Sequence, residues 1–463
     1  MARGSNASRG DTPGGTEASN RSYRNRRAVL KTAGAVGGLS VVAGCLGGGG
    51  DGTDTPADGG SGTTTRSGEW PDLSGTEVHF LTDESSEAFT SFFERVKSDF
   101  EEDTGATVNL DLVNLGEQGP RLSQLLQAGD PPDVMQAVQT RVVQLQNQGV
   151  AGTKVQVDGD DYAVPCWINP SGQWYREDIY QGEPTTWDEM LEYAGEADDP
   201  DGVRGTSVPL GRALCNDSWF LSYLYTNEGR VCERDSNGEV QCIMDEGSNR
   251  DRWIETLEFL SDLYQYSPSN ANASCSQQVQ AIPNETSAEA GYVGARPKVQ
   301  SVQQDKDFAD QVRASQVPQN RTAQSHANAI AYMTFEDANV EAGNAFISYM
   351  FQEEYFYDIL LLTPIHNNPG YPSIRERDEY QSGLDELDDA WTDGDIETSL
   401  AFADEILPFS QETSPPNPYA GTIYSSKLLV DILNDATINE RDPATIVDEY
   451  ASEIQDVIDQ ARG

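Results

Sequence analysis

The 463-residue chain carries 77 acidic against 30 basic residues, a net charge of −47, with 3 histidines and 6 cysteines. Such a charge repels nucleic-acid phosphate and anionic lipid headgroups, which excludes nucleic-acid binding and electrostatic adsorption to a membrane. The acids are spread among Trp, Tyr and Leu along the whole chain, which excludes a disordered acidic tail.

In chain order, Asn25-Arg26-Arg27-Ala28-Val29-Leu30-Lys31 precedes a small-residue apolar run over 32–43, and Val42-Ala43-Gly44-Cys45 closes it. The run is too short for a bilayer, which takes about 20 apolar residues. The first segment resembles a twin-arginine export signal and the last a lipobox, where cleavage ahead of the cysteine frees its thiol for a lipid. Residues 1–45 are therefore expected to be a signal, and Cys45 the lipid anchor that holds the protein on the outer face of the cell membrane. Seven bases and two acids precede Cys45, so 23 bases face 75 acids from there on, a net −52. Self-repulsion of this size strains a compact state unless salt screens it, and the Debye length falls to about 3 Å at 1 M. The composition resembles that of extreme halophiles, and the arrangement as a whole a haloarchaeal twin-arginine lipoprotein. Residues 46–69, rich in Gly, Thr and Asp, are predicted to be a disordered tether.

From Trp70 onward strands and helices alternate. A strand is predicted over 76–81, then an amphipathic helix over 87–104 with Phe89, Phe92, Phe93, Val96 and Phe100 on one side and Gly105 ending it. A strand follows over 107–113, a helix over 121–128 is halted by Gly129-Asp130-Pro131-Pro132, and Asp133 begins another strand. Strand, helix, strand, helix, strand implies a parallel sheet of βαβ units. No internal repeat, second linker or further membrane-length apolar run is present, so the rest reads as two intimately joined lobes.

Several segments then occur in a meaningful order. They are Leu125-Leu126-Gln127-Ala128-Gly129-Asp130-Pro131-Pro132-Asp133-Val134, Asp158-Gly159-Asp160-Asp161-Tyr162-Ala163-Val164-Pro165, Gln173-Trp174-Tyr175-Arg176-Glu177-Asp178-Ile179-Tyr180, Pro184-Thr185-Thr186-Trp187-Asp188-Glu189-Met190-Leu191, and the run 338–350 with Glu353. The ordered set resembles family 1 extracellular solute-binding proteins of sugar ABC transporters, the maltose-binding-protein-like group. The chain departs from that pattern at Arg176, where the family usually has Asn, and over 287–296, where ligand loops normally form.

The resemblance implies an α/β, two-lobed periplasmic-binding-protein-like fold of class II type, each lobe a mainly parallel sheet flanked by helices, with hinge crossings. Lobe 1 is expected over 70–168 plus 323–365, and lobe 2 over 169–322 plus 366–463. It also implies a non-enzymatic receptor, which closes over a carbohydrate and docks on ABC permease subunits; a monomer without cofactor is expected, no residue is assigned to a metal, and whether a metal is bound stays open. Ligands of open α/β sheets sit beyond the carboxyl ends of strands, which selects the loops at 82–86, 114–118, Gln139, 167–169 and 294–296. By the resemblance 325–328, 363–367 and 419–424 also approach the cleft. Sugars take flat apolar faces, offered by Trp167, Trp174, Trp219, Tyr292 and Tyr424, and short polar groups, offered by Asp83, Glu84, Gln139, Asn169, Asn328 and Asn367. Arg296 completes the candidate ligand set.

Trp187 is expected at the start of its helix as a core or cap residue, and Phe220, Tyr223 and Tyr225 as packing, while Trp167 and Trp219 suit core or cleft. Trp219 follows Gly211 to Ser218, which reads as a polar loop ahead of an apolar helix over 220–225. His79, His326 and His366 are scattered and without Cys partners, which speaks against zinc, and His79 alternates with buried strand positions as a structural residue. Asn237-Gly238 predicts a three-residue hairpin loop with Gly238 left-handed, setting Cys232 opposite Cys242 for a disulfide outside the cell. Among Cys166, Cys215 and Cys275 the pairing stays open, Cys215 with Cys275 being one choice, and one thiol is odd. Two other functions fit the same residues. An anionic solute such as glycerol phosphate would use Arg296, Arg212 or Arg321 as clamps, and a secreted glycoside hydrolase would need two carboxylates facing across a cleft.

Overall fold

Strand β1 (Glu77–Thr82) lies parallel to β2 (Thr107–Leu112) along its whole length, with α1 (Glu87–Thr104) as the crossover between them. These elements come from a computed structural model that describes residues 70–462 apart from 115–116, 148–153, 158–159, 270–271, 364 and 388–389. The expected signal, Cys45 and the tether lie outside the described residues, as do 115–116, 158–159 and 364 of the segments named above. Helix α1 buries Phe89, Phe92, Phe93, Val96 and Phe100, spaced three and four apart, against the sheet. Gly105 ends it at φ 74°, a left-handed turn that favours glycine, and its N–H bonds to Glu101 O at 3.0 Å.

After α2 (Gln118–Ala128), β3 (Val134–Val138) joins β1 in parallel and runs into α3 (Gln139–Asn147). A short hairpin, β4 (Lys154–Val157) with β5 (Asp160–Tyr162), leads to β6 (Val164–Arg176), thirteen residues long. The first half of β6 pairs with β11 (Ala327–Met333), which also pairs with β3. Its second half lies between β9 (Glu289–Val293) and β10 (Val312–Ser315), and β12 (Asn368–Pro369) adds a short pairing at Trp167 and Ile168. Apart from β1 with β2 and with β3, every pairing in this eight-stranded sheet is antiparallel. The expectation of a mainly parallel sheet in each lobe is corrected for the second half. There β9, α8 (Arg296–Gln303) and β10 do form a βαβ crossover, but it straddles β6, which runs the other way between its two strands.

A second core packs helices α4 (Trp187–Ala197), α5 (Leu214–Thr226), α6 (Gly247–Tyr264), α12 (Ala420–Ser426), α13 (Leu428–Thr437) and α14 (Pro443–Arg462), numbered past α7 (Cys275–Val279), α9 (Val340–Met350), α10 (Glu353–Leu362) and α11 (Asp393–Ala401). Thr186 and Glu189 cap α4 reciprocally, which stacks Trp187 on Phe259 at 4.2 Å and 13°. Phe220, Tyr223 and Tyr225 are fully buried packing residues.

Helix α5 starts at Leu214, so the expected polar loop up to Ser218 is corrected. Its polar residues stay helical because tertiary partners satisfy them. Asn216 donates to Gly211 O at 2.7 Å and Ala273 O at 2.8 Å, Lys427 reaches Asp217 at 2.9 Å, and Asn328 donates to Ser218 Oγ at 3.0 Å. Cys215, at the head of α5, is disulfide-bonded to Cys275 at the start of α7, with their Cα atoms 5.9 Å apart. The hairpin of β7 (Cys232–Arg234) and β8 (Val240–Cys242) has the expected register, with Gly238 at φ 84° and Cys232 opposite Cys242. The expected disulfide there is corrected, since both cysteines are free and buried. Burial pushes the Cys232 thiol well up and that of Cys242 to about 12.

Candidate functional site

Side chains two apart on a strand share a face, and on β6 this brings Trp167, Asn169, Ser171 and Gln173 into one row. Each presents a buried polar atom without a hydrogen-bond partner in the protein, namely Trp167 Nε1, Asn169 Oδ1, Ser171 Oγ and Gln173 Oε1. At about 3.3 Å per residue the row is about 20 Å long. Asn328 on β11 stands opposite Asn169 and donates through Nδ2 to Ser218 Oγ at 3.0 Å, leaving its Oδ1 unpartnered. Gln139, at the β3–α3 junction, accepts the Ala329 N–H at 2.7 Å, and its Nε2 is unpartnered, as is that of Gln136. From α5 come Trp219 Nε1 and Asp217 Oδ1, also without partners. A buried unsatisfied polar group costs about 1–3 kcal/mol, and native folds keep few. Those on β6 and on the facing Asn328 stand together on one strand face and are the candidate contacts for a ligand.

The Trp167 ring itself packs in the core, 6.4 Å from Phe89 and 6.5 Å from Tyr332, so of this candidate only the indole N–H is left unpartnered, and the opposite face of β6 is core as well. Trp174 packs edge-on against Trp391 and Phe402, donates to Gly294 O at 3.0 Å, and is therefore excluded from the aromatic candidates.

A second, charged cluster gathers Asp83, Glu84, Tyr292 and Arg296. Arg296, the first residue of α8, reaches Glu84 at 3.2 Å and donates through Nε to His366 Nε2 at 3.0 Å, and the His366 ring stacks with Tyr292 at 6.4 Å. Burial raises the Asp83 carboxyl to about 7 and the Glu84 charge adds to this, while Arg296 and Arg141 pull it back. Tyr424 adjoins the first group, its hydroxyl bonding the Ser218 side chain that Asn328 also reaches. Its hydroxyl is 2.8 Å from His326 Nε2, whose ring burial depresses to about 3 and so keeps neutral. Asn367 is buried and donates to Ile359 O at 2.7 Å, which ties it to α10. His79 is held between strands, its ring 3.2 Å from Asp111.

Sequence reasoning missed Ser171, Gln173 and the helix-borne Asp217 and Ser218. Stepping by two along the crossing strand from Trp167 would have found the first pair. The three arginines considered as anion clamps are each engaged by a carboxylate, Arg212 with Asp431 at 2.6 Å, Arg321 with Glu255 at 2.8 Å and Arg296 with Glu84. Two open surface cavities, of about 650 and 830 Å³, are lined around Phe308 and around Ser261 and Thr437, and share no residue with the row or the charged cluster. Among the described residues no three His, Cys, Asp or Glu side chains are grouped to hold a metal ion. The uncharged row offers donors and acceptors of the size and polarity that bind hydroxyl groups.

The family of bacterial extracellular solute-binding proteins matches residues 82–355, more than half of the chain. Solved structures are similar across nearly their whole length. The GacH receptor of Streptomyces glaucescens, studied unliganded and with acarbose, superposes with a TM-score of 0.68 at 15% identity, covering 84% of this chain and 99% of its own. Maltose-bound MalE3 of T. maritima gives 0.65 at 14% identity, with 82% and 98% covered. A solute-binding protein of Agrobacterium radiobacter in complex with ribitol gives 0.66 at 14%, with 83% and 99% covered.

Proposed function

The chain belongs to the bacterial extracellular solute-binding protein family, and on that footing we propose that it is a lipid-anchored receptor capturing a neutral carbohydrate for an ABC importer. Its α/β fold is that of periplasmic binding proteins, and the family is one of receptors rather than enzymes. The observation that carries the neutral ligand is the uncharged row on β6, together with the engagement of Arg212, Arg296 and Arg321 by carboxylates.

The proposed lobes are 70–168 plus 323–365 and 169–322 plus 366–463. Supporting a division near this point, β6 exchanges its partner β11 for β9 and β10 between Pro170 and Ser171, two residues past the proposed boundary, the place where closure would bring both sides onto the row. Export by the twin-arginine route and anchoring through Cys45 rest on the order of Arg26-Arg27, the apolar run and Val42-Ala43-Gly44-Cys45. The net −52 beyond Cys45 supports a high-salt habitat.

Thermal unfolding in molar salt with maltose, tagatose, ribitol and glycerol phosphate tests the ligand class. A neutral compound at 100 times its Kd stabilises by about 2.7 kcal/mol. Stabilisation by glycerol phosphate alone would reverse the choice of ligand.

A further inference from the structure

Four Asn-x-Ser/Thr tripeptides stand among the described residues, beginning at Asn216, Asn272, Asn284 and Asn320, none with proline in the middle. Such a tripeptide is the acceptor signal for N-linked glycosylation where a transferase can reach it. A chain that crosses the membrane by the twin-arginine route is already folded, so the fold decides which of the four an enzyme on the outer face meets. Asn216 lies inside α5, 0% exposed, with its carboxamide donating to Gly211 O and Ala273 O. Asn320 is exposed, but its Nδ2 donates to Asn227 Oδ1 at 2.8 Å and Thr322 is half-buried. Behind exposed Asn272, Ala273 is buried and the Ser274 hydroxyl caps α7 by accepting the Gln277 N–H. In Asn284-Glu285-Thr286 all three residues are exposed. We propose that Asn284 is an N-glycosylation site, an inference that rests on the export reading above.

The local geometry suits an acceptor. The tripeptide lies in the turn between α7 and β9, where the N–H groups of Asn284, Glu285 and Thr286 donate to Gln280 O, Ile282 O and Ala281 O, each at 2.9 Å. Arg204 N–H closes on Thr286 O at 3.1 Å. These backbone bonds hold the turn and leave the Asn284 carboxamide out of all of them. Thr286 Oγ1 donates to Ala281 O at 2.9 Å, which fixes the hydroxyl and keeps its two acceptor lone pairs for the transferase. In the transfer, Asn284 Nδ2 bonds to the anomeric carbon of a lipid-phosphate-linked oligosaccharide. The bond from that carbon to the phosphate oxygen breaks, the lipid phosphate leaves with the electron pair, and the amide proton passes to a base of the transferase.

The position keeps a glycan off the candidate ligand contacts. Ala288 O, two residues past the tripeptide, accepts the Arg176 N–H at 2.8 Å, so the turn stands at the Arg176 end of β6, beyond the end of the row at Gln173. Glu285 itself lines the open surface cavity around Phe308, which shares no residue with the row.

Mass spectrometry of peptides from the full chain, extracted from membranes of the cells that make it, decides the matter. The peptide holding Asn284 is expected to carry a glycan, and the one holding Asn216 none. Asn284→Gln changes one exposed side chain and is expected to abolish the modification and speed migration on a denaturing gel. Thr286→Ser is expected to keep the glycan and Thr286→Val to lose it with Asn284 still in place; should the valine variant fold poorly, Asn284→Gln is decisive. An unmodified Asn284 in protein that an added protease reaches on intact cells would overturn the site while leaving the receptor reading intact. A glycan on buried Asn216 would overturn it too, since the fold would then not select the acceptor. Protein found only inside the cell would overturn both the site and the export reading.

Discussion

Glu289 is a carboxyl in the wrong place for an ion. It lies on β9, 1% exposed, accepting from Thr206 Oγ1 at 2.5 Å through one oxygen while the other has no partner. Burial raises it from 4.5 to about 8, against the opposing pull of the Thr206 hydroxyl and the Ser207 N–H. Between these two values the folded protein holds a proton that the unfolded chain releases. Stability contributed by the protonated group is therefore complete below about pH 4.5 and is lost as pH rises to about 8. Each pH unit in that window is worth about 1.4 kcal/mol, so at neutral pH the residue costs roughly 3 kcal/mol relative to acid. Glu289→Gln keeps a neutral acceptor for Thr206 and abolishes the titration. Urea unfolding of both proteins in molar salt, at about pH 5.5 and about pH 7.5, should show the advantage of Glu289→Gln growing by roughly 2 to 3 kcal/mol with rising pH. A difference between variant and wild type that does not change with pH would refute the reasoning.

Joint replacement of Cys215 and Cys275 by Ser opens a loop of sequence separation 60 and should cost about 4 kcal/mol by loop-closure entropy, read as a lower urea midpoint; an unchanged midpoint would deny the bridge a role. Dilution into tens of millimolar salt should unfold the protein, because a net charge near −50 then repels over a Debye length above about 10 Å, and a circular dichroism spectrum indifferent to salt would end the halophile reading. Cys45→Ser should leave an uncleaved precursor or release soluble protein. Retention of the variant on membranes after a high-salt wash would contradict the lipobox.

What was legible in the sequence was local. The phenylalanines of α1 recur at helical spacing and Gly105 can turn left-handed at no steric cost, so that helix and its end follow from neighbouring residues alone. Asn237-Gly238 likewise sets the hairpin register that places Cys232 beside Cys242. The fold family was legible because segment order survives where individual motifs are weak. Tertiary structure decided the rest, since those outcomes depend on partners far along the chain. Cys215 bonds to Cys275 because the head of α5 meets the start of α7, whereas Cys232 and Cys242, side by side, remain thiols kept protonated by burial. The polar stretch before Trp219 is helix rather than loop because Ala273, Lys427 and Asn328 satisfy it. Arg296 looked like a clamp and is neutralised by Glu84 from the loop after β1. Gln173 and Trp174, neighbours in sequence, face the candidate site and the core respectively, because a strand turns alternate side chains to opposite faces and only the packed sheet determines which face is which.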